Sequence, residues 1–394
     1  MERIRHLPAA AAEPPSRTVT LAPPHGEPLD DPATYERNVE NFIGTVRVPV
    51  GIAGPLAVNG SAARGTYYVP LATTEAALVA SYSRGAQLLT RAGGCTARVL
   101  GARMRRAPVF RFADLREAAA GALWVRENGE RLRAAAEATS RHARLLEIGT
   151  LIEGNHLYLD CAYATGEAAG QNMVTFATEA LCAELLAHAP VRPRSFAVES
   201  NASGDKKAAA QSLVATRGRR VCADAIVPAA LLEERLRVTP AMLAAYWRTG
   251  AVAAAMTGTI GMQGMYANAL AAFYLATGQD VACVAESAVG ITRLDVAPDG
   301  ALYASVTMPN VVVATVGGGT GLPTQRAAAK LLSRGDEAPS ADALAEIVAG
   351  IVLAGEISLT ASLCAHEFAC AHRRFARDGA NAATSRVHLT GVPA

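Results

Sequence analysis

The chain has 394 residues and a mass of 40.8 kDa, too large for one simple core and suited to two or three coupled substructures. Its composition, 51% hydrophobic and 18% charged, excludes disorder over most of its length. Because 37 basic residues nearly balance 35 acidic ones and form no long block, a dedicated nucleic-acid-binding protein is also disfavoured. Seven scattered cysteines without a CxxC pair predict a reduced, cytoplasmic protein.

The first predicted elements precede and surround one carboxylate. Residues 1 to about 30 are rich in Pro and Ala and predict a loosely held arm without a secretion signal. Residues 46–69 read as short strands interrupted by Gly and Pro. A helix is predicted over 74–90 with Thr73 or Thr74 as its cap, which places Glu75 in the first turn.

The next region, 99–198, mixes strands and helices. A helix, a strand pair, a glycine-containing turn, a second helix and a closing strand are predicted in order over 114–144, 151–164, 166–170, 172–187 and 195–200. This alternation within one block predicts a small α+β module inserted into a larger one.

From Asp205 onward the pattern is mainly helical. The uncharged segment 249–279 exceeds the length needed to span a bilayer. Its polar residues, its glycines and the absence of a Leu-rich, membrane-spanning character instead favour a buried central helix. A strand is predicted over 302–316, and the last helix ends near residue 377.

Two charged features are candidates for chemistry near these elements. Asp205-Lys206-Lys207 places two lysines at a predicted helix start, where cations are disfavoured, so the pair is either a solvated surface feature or catalytic. Glu75 lies in an apolar context, where it either complements the helix dipole or, if buried, acts as a proton donor.

The remaining candidates follow the long uncharged segment or are rich in glycine. Asp280 either caps a turn or points into a cavity. His372 is either inert or a proton donor, and because it lies six residues after His366 the two histidines do not share a helical face and are not expected to bind zinc together. Residues 166–173 and 315–321 would let backbone amides approach a phosphate or a flat ring. Neither is a GxGxxG fingerprint or a P-loop, so ordinary turns remain an alternative.

In this order, the features resemble the catalytic portion of 3-hydroxy-3-methylglutaryl-CoA (HMG-CoA) reductases in their NADPH-using form. The resemblance runs from Tyr35 to about Arg377. It is carried by residues 40–44, 48–56, 72–75, 205–207, 278–280 and 315–320 and by the final helix ending at His372.

The resemblance implies an α+β fold with a large domain around a buried central helix and an inserted small, non-Rossmann cofactor domain. Its domains would be an N-terminal arm and helical segment (1–42), a large substrate-binding domain (43–98 and 199–394) and a small NADP-binding domain (99–198). It further implies a cytoplasmic homodimer or higher homo-oligomer with shared sites, and neither a metal, a membrane nor a nucleic-acid partner.

The implied reaction is the reduction of HMG-CoA to mevalonate and free CoA by two hydride transfers from NADPH, a step of isoprenoid biosynthesis. By resemblance, Lys206 would stabilise the oxygen anion and Asp280 would hold Lys206. Glu75 would protonate the reduced oxygen, and His372 would protonate the departing CoA thiolate. These roles suit the chemistry, because hydride addition builds negative charge on oxygen and a thiolate leaves more readily beside an acid.

The resemblance also implies binding residues. Cofactor contacts would come from Gly170, Asn172, Met173, Gly317, Gly318, Gly319 and Thr320. Substrate contacts would come from Ser81, Arg84, Arg98, Asp205, Lys207 and Asn268.

The sequence departs from the family pattern at the acyl end of the substrate. Glu199-Ser200 replaces a Ser-Gly, and Arg248-Thr249-Gly250 stands where a Lys-Asn is expected. A reductase of another acyl thioester is therefore an alternative, and a non-enzymatic CoA-binding or membrane protein is a third. Retention of all four implied catalytic residues argues against the third.

Overall fold

The structure, a computed structural model, describes residues 31–334 and 338–367. Its contacts divide the chain into two units, one up to Arg47 and one from Val48 onward. In the described part of the first unit, a 3₁₀ turn at Pro32–Thr34 is capped by Asp31, and the rings of Tyr35 and Phe42 stack at 4.6 Å. The predicted N-terminal arm lies outside the described residues.

The second unit combines strands and helices. The strands are β1 Val50–Gly60, β2 Arg64–Ala72, β3 Cys95–Arg106, β4 Val109–Arg111, β5 Arg144–Glu153, β6 His156–Ala164, β7 Ser195–Ala197, β8 Gly218–Val227, β9 Ile291–Val296 and β10 Leu302–Val311. The helices are α1 Leu78–Arg91, α2 Leu115–Glu127, α3 Gly129–Glu137, α4 Gln171–His188, α5 Ala229–Leu236, α6 Pro240–Thr257, α7 Tyr266–Thr277, α8 Val284–Ser287, α9 Pro323–Lys330 and α10 Ala341–Cys364. The α+β class is confirmed.

All ten described strands belong to one sheet. Its main order is β7-β4-β6-β3-β8-β10-β9, with β1 on β3, β2 on β1 and β5 on β6. Strand β3 is central, because its first part pairs with β1 and β8 and its last residues pair with β6. It therefore carries the chain from the larger part of the sheet into the part formed by β4 to β7.

The buried centre of the molecule is α10, which packs against α1, α7 and strands of the sheet. It is apolar almost all round, as expected of a helix surrounded by protein. Its length and composition alone would allow it to cross a membrane, but most of it is buried. Its two interior carboxylates accept hydrogen bonds from turns, Glu346 from residues 61–63 and Glu356 from residues 264 and 265.

The prediction of one buried helix over 249–279 was wrong. The segment is divided into α6 and α7 because the chain turns at Gly258, which ends α6 with φ +70°, and passes close to Gly290 at Gly261. Helix α7 is buried, whereas the second half of α6 is exposed, with Val252 61% and Met256 82% accessible.

Three other helix predictions need correction. Helix α1 begins at Leu78 rather than 74, because Ala77 adopts φ +69°, so Glu75 lies in the preceding turn. The helix predicted over 114–144 is broken at Asn128 and gives way to β5. The residues after Lys207 form a loop and a short 3₁₀ turn instead of a helix.

Candidate active site

An ion pair joins two of the predicted catalytic residues. Lys206 Nζ lies 2.9 Å from Asp280 Oδ2, and both side chains are partly exposed. The hydrogen bond with Asp280 raises the pKa of Lys206 above its ordinary value. Burial alone would raise the pKa of Asp280, but hydrogen bonds from Lys206, Ala282 and Gln171 outweigh it and lower that pKa. The pair therefore keeps a fixed ammonium group at this point, suited to stabilising a developing oxygen anion.

The backbone holds both members of this pair in place. Asp280 follows Gly278, which ends α7 with φ +72° and lies so close to Gly319 that a Cβ atom would be 2.3 Å from the Gly319 carbonyl oxygen. Lys206 itself has φ +55°, an uncommon conformation for a residue with a side chain. Close backbone contact thus sets Asp280 beside the second glycine-rich segment.

The ion pair opens into a cavity of about 630 Å³ between the two glycine-rich segments. These segments are joined by a parallel bridge between Ala168 and Val316 and by hydrogen bonds from Thr315 to Glu167. The lining includes every residue predicted to contact the cofactor, namely Gly170, Asn172, Met173, Gly317, Gly318, Gly319 and Thr320. The structure therefore brings these residues together with Lys206 and Asp280.

The glycine conformations suit this cavity. Gly170 precedes α4 with φ +80°, and a Cβ there would be 2.3 Å from Thr165 Cγ2. Gly317 and Gly318 have φ +81° and +55°, and the space that their Cβ atoms would fill is open. Side chains at these positions would be strained, whereas glycine lets a flat or phosphate-bearing ligand approach the backbone.

Behind Lys206 lies a buried network of charges. Arg106 Nη1 contacts Asp205 Oδ2 at 3.1 Å and Glu199 Oε2 at 3.3 Å. Arg217 contacts Asp205 Oδ1 at 2.7 Å and Glu286 Oε1 at 2.6 Å. Because both arginines are buried, these contacts fix the loop that carries Lys206 to the end of β3, to the residue before β8 and, through Arg217, to α8.

Glu75 lies at the opposite end of α7. Its carboxylate accepts a hydrogen bond from Asn268 in the first turn of that helix, with Nδ2 to Oε2 at 3.4 Å, and it is exposed. Asp280 follows the last turn of the same helix, which is about 18 Å long. Within one chain, Glu75 is therefore separated from the Lys206–Asp280 pair by roughly the length of α7.

Two of the predicted substrate residues are occupied elsewhere. Arg98 is exposed and donates hydrogen bonds to the carbonyl oxygens of Asn59 and Ala97. Eight positions separate it from Arg106 on β3, roughly 26 Å along an extended strand. Arg84 binds Ser358 and Ser362 and so fastens α1 to α10. The structure thus places Arg106, and not Arg98, beside the lysine loop.

The four other predicted substrate residues lie either on the loop that carries Lys206 or on the side of Glu75 and α1. Asp205 is held by the buried arginines, and the exposed Lys207 donates to the Asp205 carbonyl oxygen at 2.8 Å. Asn268 lies with Glu75, and the half-buried Ser81 lies on α1. His372 lies outside the described residues. Among residues 31–334 and 338–367, no group of three His, Cys, Asp or Glu could hold a metal ion.

Sequence reasoning missed Arg106, Gln171, Arg217 and Glu286. Glu286 carried the clearest signal, since it is a lone carboxylate within the apolar run 281–291, where burial requires a cation. Its partner Arg217 lies 69 positions away, so no local pattern joins them.

Comparison with known proteins identifies the family of the chain. The sequence profile of the family described as hydroxymethylglutaryl-coenzyme A reductase matches residues 8–377. The 3-hydroxy-3-methylglutaryl-coenzyme A reductase of Pyrococcus abyssi is 44% identical over 356 residues, covering 89% of this chain and 87% of the relative. That of Halobacterium salinarum is 46% identical over 344 residues, covering 86% and 84%. The chain belongs to the hydroxymethylglutaryl-coenzyme A reductase family.

A solved HMG-CoA reductase also shares the fold. The class II enzyme of Streptococcus pneumoniae, bound to NADPH in open conformations, aligns with a TM-score of 0.69 at 23% identity, covering 84% of this chain and 89% of that one. The family predicted from the sequence is therefore confirmed. The relatives named here are all HMG-CoA reductases, which gives the alternative acyl thioester no support.

Proposed function

We propose that this member of the HMG-CoA reductase family reduces HMG-CoA to mevalonate and free CoA with NADPH, in the cytoplasm. The main support for this function is the Lys206–Asp280 ion pair, which lines the cavity between the two glycine-rich segments. The size of that cavity is within the usual range for ligand sites, and its glycines leave the backbone accessible. The lining fits a nicotinamide cofactor, which supplies the hydride when bound.

The residues of the chain then account for the charge and the protons. Lys206, held by Asp280, stabilises the negative charge that forms on the thioester oxygen. Glu75 gives a proton to the reduced oxygen, and His372 protonates the CoA thiolate as the C–S bond breaks.

At the acyl end, Arg106 and Lys207 hold the substrate carboxylate. Arg106 contacts Asp205 of the lysine loop at 3.1 Å, and its buried Nε atom has no hydrogen-bond partner among the described residues. Its present partner Glu199 is half-buried, so a bound carboxylate would compete with Glu199 for the same guanidinium group. Arg98 has no part in this role.

The function is tested by following NADPH oxidation with HMG-CoA and a panel of other acyl-CoA thioesters. HMG-CoA should be the best substrate. In the same assay, Arg106→Ala should raise the KM for HMG-CoA at least about tenfold, the effect of losing one charged contact. The matched control Arg98→Ala, on the same strand, should change it little. Preference for an uncharged acyl-CoA would contradict the proposed function, and equal KM values in the two variants would contradict the role of Arg106.

The chain acts as a homodimer in which one site uses two subunits. Glu75 and Lys206 must reach the same reacting oxygen, yet in one chain they lie near opposite ends of α7. Exposed apolar side chains on α6 and on strands of the sheet are available for association, among them Val252, Met256, Leu100 and Ile226. The small NADP-binding domain comprises residues 99–198, and residues 40–44 belong to the dimer contact.

Mixing two inactive variants tests the shared site. Glu75→Gln and Lys206→Met homodimers should each be nearly inactive, but subunit exchange should create heterodimers with one intact site. After complete exchange about a quarter of the wild-type activity is expected, because half of the dimers each hold one working site of two. Exchange is confirmed with differently tagged chains. An inactive mixture despite proven exchange would show that both residues act from one subunit.

A further inference from the structure

Gln171 lies where the cofactor segment meets the catalytic pair. It is the residue after Gly170, it begins α4, and it lines the same cavity as Lys206 and Asp280. Its side-chain Nε2 donates to Asp280 Oδ2 at 3.0 Å and to Cys283 Sγ at 3.2 Å. One side chain thus connects the turn after β6 to the turn after α7.

The orientation of the Gln171 amide is determined by its neighbours. Its Oε1 accepts from Arg217 Nη2 at 3.5 Å, while its Nε2 faces the Asp280 carboxylate. A reversed amide would set oxygen against the carboxylate and an NH₂ group against the guanidinium group. Its backbone carbonyl accepts from Arg106 Nη2 at 3.2 Å, so the buried charge network holds the residue at a second point.

Gln171 and Lys206 share one acceptor atom. Lys206 Nζ and Gln171 Nε2 lie 2.9 and 3.0 Å from the same Asp280 Oδ2, while Oδ1 accepts from the Ala282 amide. The amide therefore directs the carboxylate and limits how much of its charge is engaged by the ammonium group. Without this donor, only the Ala282 amide would hold the Asp280 carboxylate from the protein backbone, so Oδ2 could shift and carry Lys206 with it.

We propose that Gln171 is a positioning residue that couples the cofactor-binding segment to the Lys206–Asp280 pair. The inference rests on the proposed function, in which Lys206 stabilises the oxygen anion. A shift of the 166–170 turn when the cofactor binds is transmitted through one side chain to Asp280. Gln171 acts on the hydride-transfer step through Asp280 and contacts neither the acyl group nor its carboxylate.

The test replaces Gln171 by Leu, which keeps the approximate size and removes the donor. We expect kcat to fall about tenfold, the size of a lost hydrogen bond to a charged group, with both KM values changed less than about threefold. The primary deuterium isotope effect on kcat, measured with deuterated NADPH, should increase because hydride transfer becomes more rate-limiting. A structural role would lower the amount of active enzyme without changing that isotope effect.

Two further variants sharpen the test. Gln171→Glu places a carboxylate against Asp280 and should lose more activity than the Leu variant. If the Leu variant does not fold, the activity of Gln171→Glu tests the coupling role by itself. Thr175→Val is the matched control, since it removes only a hydroxyl that donates to the Gln171 carbonyl on the same helix. It should keep wild-type kcat and isotope effect.

The outcomes separate this inference from the proposed function. Wild-type kcat in Gln171→Glu, or a reduced kcat with an unchanged isotope effect in Gln171→Leu, would overturn the coupling role. An effect confined to the KM for NADPH would also overturn it, leaving Gln171 as a cofactor contact only. Lys206→Met is assayed in parallel. If it is inactive while Gln171→Leu is normal, only the inference fails, whereas an active Lys206→Met variant rejects the proposed function.

Discussion

Lys206→Met should fold and bind NADPH but reduce HMG-CoA at least about a hundredfold more slowly, as expected when one charge-stabilising donor is removed. Lys206 is the cation that forms an ion pair with Asp280 at the wall of the cavity. The substitution removes that positive charge. Asp280→Asn should lose activity by a similar factor, because the lysine would no longer be fixed. Steady-state NADPH oxidation measures turnover, and fluorescence titration measures cofactor binding.

The control for this experiment is another lysine of the same chain. Lys330 is exposed on α9 and does not line the cavity, so Lys330→Met should retain wild-type turnover. Near-normal turnover of Lys206→Met would refute the oxyanion role. Loss of cofactor binding together with turnover would instead assign Lys206 to the binding of NADPH.

Arg217→Leu should be the most destabilising single change in the site. Its guanidinium group is buried between Asp205 and Glu286, so its removal leaves Glu286 as an unpaired buried charge. Loss of one partner from such a pair costs about 3–5 kcal/mol of unfolding free energy. Urea unfolding of both proteins measures the difference. Arg116→Leu, which removes an exposed arginine from a surface pair with Asp114, is the matched control and should change stability little.

The stability deficit of Arg217→Leu should depend on pH. Burial raises the pKa of Glu286, and Arg217 opposes that effect, so removing Arg217 raises the pKa further. The folded variant then binds a proton more tightly than the unfolded chain does. The stability that this proton contributes is therefore fully present below the unfolded-state pKa of Glu286 and is lost as pH rises from there through the folded-state pKa, so the deficit should be larger at pH 8 than at pH 5. A deficit that is equal at pH 5 and pH 8 would contradict this account.

The local sequence predicted those features that depend on neighbouring residues. The strands before Glu75, the strand pair ending near Ala164, helix α4 and the two glycine-rich turns are all present where the pattern indicated them. Turn glycines and alternating apolar residues act through the conformation of a few adjacent residues, which is why they can be read locally. The family resemblance supplied the predicted catalytic residues, and the structure places two of them, Lys206 and Asp280, in contact.

Contacts between residues distant in sequence determine the features that the local pattern did not predict. Arg106 and Arg98 look alike in sequence, yet only the pairing of β3 with β6 and the approach of the lysine loop place Arg106 in the charge network. Similarly, an uncharged run of 249–279 does not reveal where it bends, because the bend depends on Gly261 packing against Gly290.

Sequence alone therefore determined the family, the α+β class and the chemical types available at the site. The tertiary structure determines which charged residues form ion pairs. It also separates Glu75 from Lys206 within one chain by roughly the length of helix α7. The physical reason is that buried ion pairs and close backbone contacts join residues distant in sequence. Their energies depend on distances of a few ångströms, which no local pattern encodes.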